Sequence, residues 1–176
     1  MRPVTYALLV TLLAGTASAA TARAQTTARA LIQPTTDDSP VSGQVTLTDT
    51  LEGLEIIADI SGAAPGLHGL HIHQFGVCDD AGAAAGGHYN PDHTAHGFAP
   101  KDGFEHAHPG DLGNITIGDN SLGHLEITVP GLSLVTGDYA IAGRAIVLHA
   151  QADDFGQPTG NAGGRIGCGP IVITGE

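Results

Sequence analysis

The chain has 176 residues, 41% apolar and 14% charged, with 26 Gly, 10 Pro and no Trp. That is the size of one ordinary domain, too apolar and too weakly charged for a disordered chain, and the Gly and Pro follow no collagen period. The 18 acidic residues outweigh the 6 basic ones, for a formal charge of −12, which is the wrong sign for nucleic acid or an anionic membrane as partner.

The N-terminus reads as an export signal over residues 1–24. Arg2 is a short basic start, and residues 6–14 (YALLVTLLA) form an apolar run too short to span a bilayer. Ala17-Ser18-Ala19 and Ala22-Arg23-Ala24 both fit a small-residue cleavage site, and the second is preferred. The mature domain is then 25–176, exported to the periplasm or the exterior. Its cations besides histidine are Arg29, Lys101, Arg144 and Arg165. Cys78 and Cys168 are the two cysteines; in an exported chain such a pair points to a disulfide, with two separate buried thiols as the alternative.

A loose start at 25–27 leads to a first expected strand over 28–32, stopped by Pro34. Val45 and Leu47 alternate with Thr46 and Thr48, the period of two that marks a strand. Leu54, Ile56, Ala58 and Ile60 alternate in the same way with Glu55, Ile57 and Asp59. A further strand is expected over 70–75. From 76 to 111 no strand pattern holds; this Gly-, His- and Asp-rich stretch is far longer than ordinary connections, and loops of that length are usually functional. Alternation resumes over 112–117 and 125–129, with Asp119-Asn120 as the turn between them and Pro130 as the stop. Segments 145–149 and 166–173 complete about eight short strands. With no convincing amphipathic helix and no internal repeat, the pattern predicts an all-β antiparallel sandwich or barrel.

The chain has 10 histidines, and histidine is the commonest metal ligand. On a strand, His71 and His73 project from one face while Leu70 and Ile72 project from the other. Two imidazoles at i and i+2 can chelate one ion, although an H-x-H pair alone is weak evidence. At 145–149, Ile146 and Leu148 can fill the core while His149 points the opposite way. The long loop adds His88, His93, His96, His106, His108 and Asp111. Ordering so long a loop costs conformational entropy, which a bound metal would offset. Imidazole suits zinc and copper, and one carboxylate is common at zinc.

Five segments carry a resemblance: GLHGLHIHQFG (66–76), GGHYNP (86–91), HPGDLGN (108–114), VLHAQADD (147–154) and GNAGGRIGCG (160–169). In their order and over most of the mature chain they resemble the copper,zinc superoxide dismutase family. The resemblance implies an eight-stranded antiparallel Greek-key barrel or sandwich, immunoglobulin-like, with long metal-binding and active-site loops. It implies copper on His71, His73, His88 and His149, and zinc on His88, His96, His108 and Asp111, with His88 bridging the two. Cys78 and Cys168 match the family's disulfide. Arg165 matches the arginine beside the copper, Asp153 the carboxylate joining a ligand of each metal, and Thr159 the threonine at the channel mouth. The implied activity is conversion of superoxide to oxygen and hydrogen peroxide by alternate reduction and oxidation of copper, with Arg165 docking the anion; a homodimer is the implied assembly.

Four histidines stay outside that set: exposure is expected for His93 and His124, His108 is preferred over its neighbour His106, and a hydrogen-bonding role is expected for His68. Two departures from the family stand out. The interval from Cys78 to His88 is longer than in familiar eukaryotic members, and residues 154–159 are much shorter than the usual electrostatic loop and lack its lysine, since Lys101 is the only lysine in the chain. A metal-binding module without turnover would keep the histidines but would not need Arg165. A cupin-type site would add a glutamate shortly after the H-x-H, where this chain has Gln74-Phe75-Gly76.

Overall fold

The computed structural model describes residues 25–175. The expected export signal at 1–24 lies outside them. Nine strands follow in chain order: β1 (Thr27–Pro34), β2 (Ser42–Asp49), β3 (Leu54–Ser61), β4 (Gly66–His73), β5 (Asp111–Ile117), β6 (Leu122–Val129), β7 (Ala145–His149), β8 (Arg165–Pro170) and β9 (Val172–Gly175). Every pairing between these strands is antiparallel, in the order β2-β3-β6-β5-β4-β7-β8-β1, and a β1–β2 ladder closes the ring. Both β8 and β9 pair with β1, so they act as one interrupted stave, and the barrel has eight. The expected strand over 166–173 is thus split at Ile171. The β3–β4 and β6–β7 connections each pass over two strands, which is Greek-key connectivity.

The period-two pattern produces the staves directly. Along β1, Ala28, Ala30 and Ile32 are buried while Arg29, Leu31 and Gln33 are exposed. β3 repeats this with Leu54, Ile56, Ala58 and Ile60 inward. Ile, Leu and Val fill the interior, each contributing about 1.5–3 kcal/mol on full burial.

β4 and β7 differ from the other staves because both of their faces are covered. Leu70, Ile72, Ile146 and Leu148 enter the main core. Their neighbours His71, His73, Val147 and His149 point outward, yet all are buried. The cover is the 76–111 connection, which folds back along the end of β4. Tyr89 N–H donates to the Ile72 carbonyl (2.8 Å), Ile72 N–H to Gly110 (2.9 Å) and Gln74 N–H to Gly87 (3.0 Å). Within the connection lie two single turns of helix, 3₁₀ at Ala83–Ala85 and α at Ala99–Asp102. Ala85 packs with Ala145, Val147, Cys168 and Cys78 in a second small apolar cluster. The long Cys78–His88 interval is therefore a helical turn seated on the disulfide.

Candidate metal centre

Sheet register places the strand-borne histidines. His71 pairs across with Val147 on one side and with Asp111 on the other, where a bulge shifts the β4–β5 register. His149 pairs with Arg165 across another bulge. His88 forms an isolated antiparallel bridge with His73 at the end of β4. Gly69 is a tight approach: a Cβ there would lie 2.9 Å from Ala162 Cβ and 3.0 Å from His71 Cε1.

Two groups of donor atoms converge, each with all atoms within 4.8 Å of one another: His71, His73, His88 and His149, and then His88, His96, His108 and Asp111. All seven side chains are buried. His88 belongs to both groups. Its ring centre lies 4.1 Å from that of His71, 5.1 Å from His73, 5.4 Å from His96 and 5.6 Å from His108. His88 Nδ1 faces Asp111 Oδ1 at 2.8 Å, which leaves Nε2 for the other group.

The chemistry of the donors fits cations. In the first group, His73 Nδ1 donates to the Gly86 carbonyl (2.9 Å) and His149 Nδ1 to the Gly163 carbonyl (3.3 Å). A carbonyl only accepts, so each Nδ1 carries the proton and each Nε2 a lone pair. Yet the two Nε2 atoms lie 3.3 Å apart. Burial above all pushes His73 down to about 2 and His149 to about 3, so neither ring brings a second proton to bridge the two nitrogens. Two facing lone pairs repel, and a metal ion between them removes the conflict. His71 adds a buried Nδ1 with no hydrogen-bond partner, while Asp153 holds its Nε2 at 2.8 Å.

The second group is three imidazole nitrogens around one carboxylate, a donor set that suits zinc. Asp111 Oδ1 meets His88 Nδ1 (2.8 Å) and His108 Nδ1 (3.0 Å), and Oδ2 meets His96 Nδ1 (2.8 Å). The last contact lacks hydrogen-bond alignment and leaves the buried His96 Nδ1 without a hydrogen-bond partner, while Oδ2 accepts from the Gly97 and His108 N–H groups (3.0 Å each). Burial would raise the Asp111 pKa, but hydrogen bonds from His108 and His88, the close His96 ring and the Gly97 N–H hold it far below the carboxylate range. Burial likewise opposes the His96 cation, yet Asp111 and Asp153 together raise His96 to about 9. Burial lowers His88 to about 4 despite Asp111.

Asp153 joins the groups, with Oδ2 on His71 Nε2 (2.8 Å) and Oδ1 on His96 Nε2 (2.9 Å). Its pKa is depressed: burial would raise it, but the bonds from His71 and His96 prevail. Gly160 packs so closely that a Cβ would overlap Asp153 Oδ1. Cys78 and Cys168 form a disulfide with Cα atoms 5.7 Å apart. The loop it anchors supplies the Gly82 and Gly86 carbonyls, which accept from Arg165 Nη1 and from Nη2 (2.6 Å). Gly86 therefore holds both Arg165 and His73. Burial lowers the Arg165 pKa from its ordinary value. Thr159 is exposed in the turn before Gly160.

The four remaining histidines lie outside both groups. His93 and His106 are exposed, and His124 is an exposed partner of Asp59 (2.7 Å). His68 is buried between the His149 and Ala64 carbonyls, each 2.8 Å from a ring nitrogen. Sequence reasoning missed two amide side chains. Asn114 brackets the Asp153 backbone, donating Nδ2 to its carbonyl (2.9 Å) and accepting its N–H (2.7 Å). Gln157 does the same for His96, at 2.8 and 3.0 Å. Asn114 lay within the matched segment 108–114; Gln157 carried no signal, because a side chain that grips distant backbone leaves no local pattern.

Residues 41–171 match the family model of copper/zinc superoxide dismutase (SODC). Among solved structures, that of the clock protein EA4 is similar, with a TM-score of 0.74 and 35% identity, covering 84% of this chain and 94% of that one. The matched span takes in both donor groups, the disulfide and Arg165, and the chain belongs to the copper/zinc superoxide dismutase family.

Proposed function

We propose that this protein is an exported copper,zinc superoxide dismutase, converting two superoxide ions and two protons into oxygen and hydrogen peroxide. The observation that carries the reading is His88, one imidazole common to two buried donor groups of different chemistry. The all-imidazole group of His71, His73, His88 and His149 is assigned to copper, and the carboxylate-containing group of His88, His96, His108 and Asp111 to zinc. Bound there, copper supplies the one-electron redox couple and zinc a fixed positive charge without redox chemistry.

The protein's own residues do the rest. Arg165 presents a guanidinium clamped by the Gly82 and Gly86 carbonyls, next to the strand position of His149. It draws the small anion in and orients it, with Thr159 at the channel mouth. His88 Nε2, on the opposite side of the ring from Asp111, is the atom placed to hand a proton to the substrate. Asp153 fixes the rings of His71 and His96, and the disulfide fixes the loop that clamps Arg165. The disulfide suits a periplasmic or extracellular location, and a homodimer is proposed as the assembly.

The test is superoxide decay followed with protein loaded with zinc alone and with copper and zinc. Decay that accelerates only with copper supports the enzyme; metal binding without acceleration would make the protein a metal-binding module.

A further inference from the structure

Only residues 154–159 separate Asp153 from Gly160, and this short strap closes on itself. Asp154 N–H donates to Gly160 (2.9 Å) and Gly160 N–H to Gly156 (2.7 Å), while Asp154 Oδ1 accepts from Gly156 N–H (2.8 Å) and from Asn161 Nδ2 (3.2 Å). So tied, the strap grips His96 at two places. The Gln157 amide pairs with both backbone groups of His96. The Phe155 ring lies nearly parallel to the His96 imidazole, at 21° and 6.4 Å between centres, and meets Phe98 edge-on at 6.2 Å.

Phe155 holds this position with φ at +60°, a left-handed conformation that disfavours any residue with a bulky side chain. Its N–H meanwhile donates to Asp153 Oδ1 (2.8 Å), the oxygen that also binds His96 Nε2. Phe98 lies over Gly113, where a Cβ would sit 2.9 Å from its ring, two residues from Asp111. The two aromatic rings thus lie together beside His96 and against Gly113, in the chain next to Asp111. Phe155 is 45% exposed, whereas the His96 behind it in the same aromatic group is only 4% exposed.

We propose that the 154–159 strap sets the rate at which zinc leaves, with Phe155 as the cover over the His96 imidazole and Gln157 as the clamp on its backbone. This rests on the zinc assignment above. Both are positioning residues: they hold His96 on its ligand path, and departure requires His96 to swing out past the Phe155 ring. Of the copper-side histidines, His73 and His149 bond to neither residue, and His71 meets the strap only through the other oxygen of Asp153, so the Phe155 ring and the Gln157 amide act on the zinc side.

The test uses the copper- and zinc-loaded full-length protein, with each metal's release to an excess of chelator followed over time. Phe155→Gly suits the left-handed backbone and removes only the cover; zinc release should quicken about tenfold, as for other residues that hold a metal ligand in place. Phe155→Leu should restore slow release, and Gln157→Ala should quicken it. Copper should stay bound while zinc departs. Zinc release from Phe155→Gly within twofold of wild type would overturn the proposal, as would copper and zinc leaving together at one raised rate, which would mark general loosening. A wild-type protein that takes up no zinc would instead overturn the zinc assignment itself.

Discussion

His71, His73 and His149 ride on β4 and β7, where sheet register fixes their direction. His96, His108 and Asp111 are held at one edge of β5 and in the 76–111 connection, where few ladder bonds exist and carboxylates do the aligning. The two regions also titrate in opposite senses. Burial drives the strand-borne rings of His73 and His149 neutral, whereas Asp111 and Asp153 raise the loop-borne His96. A sheet with backbone carbonyls can therefore aim the neutral rings of His73 and His149, while the loop-borne His96 is organised by two carboxylates. His88, bonded to β4 yet paired with Asp111, belongs to both regimes.

The widest break between the regions comes from pH, in the metal-free protein. His73, His149 and His88 sit below the unfolded value of 6.5, at about 2, 3 and 4. The unfolded chain then binds more protons below pH 6.5, so stability from this region falls as the solution is acidified from there. The depressed Asp111 and Asp153 add to the loss below about pH 4, near the unfolded carboxylate value. His96, raised to about 9, behaves oppositely: its contribution is complete below pH 6.5 and is lost as pH rises through about 9. Thermal melts of metal-free protein should show a stability maximum near pH 6.5, where the two opposing losses begin. In Asp153→Asn the alkaline decline should shrink while the acid one persists; an unchanged alkaline limb would remove His96 from the account.

Asp111→Ala strikes the loop region and, on the strand side, touches only the shared His88. Three histidines lose their common carboxylate, and breaking so buried a set costs about 3–5 kcal/mol. Zinc uptake should fail while the strand-borne donors still take copper, as read by metal content. Reducing Cys78–Cys168 frees the loop from β8. It should cost about 2–4 kcal/mol and speed metal loss, measured by melts with and without reductant. Arg165→Ala leaves both donor groups intact. At limiting superoxide it should slow decay roughly tenfold, about 1.4 kcal/mol, with metal content unchanged. Arg165→Glu should be slower still, and equal rates for wild type and Arg165→Ala across a salt series would remove Arg165 from substrate guidance.

The legibility of the sequence divides along the same line. Alternation in 54–60 and 145–149 marks staves that the structure keeps almost to the residue, because a half-buried strand writes its period into the chain. The strand expected at 70–75 instead starts at Gly66 and ends at His73, since the 76–111 connection takes over its edge. Inside that connection no period exists, so the choice of His108 over His106 came from the family's spacing, and the structure buries the first and exposes the second. Gln157 and Phe155 were illegible for a further reason. Their partners at His96 are distant in sequence and chosen by the tertiary fold alone.

Two neighbouring metal sites that share His88, with the chemistry at the strand-borne one, are what the proposed function requires. Metal content and superoxide decay measured on the same samples of wild type and His71→Ala test it most directly. Wild type should hold one copper and one zinc per chain with rapid copper-dependent decay, and His71→Ala should retain zinc with decay reduced to background. Full activity in His71→Ala, or a fully loaded wild type that leaves superoxide untouched, would contradict it.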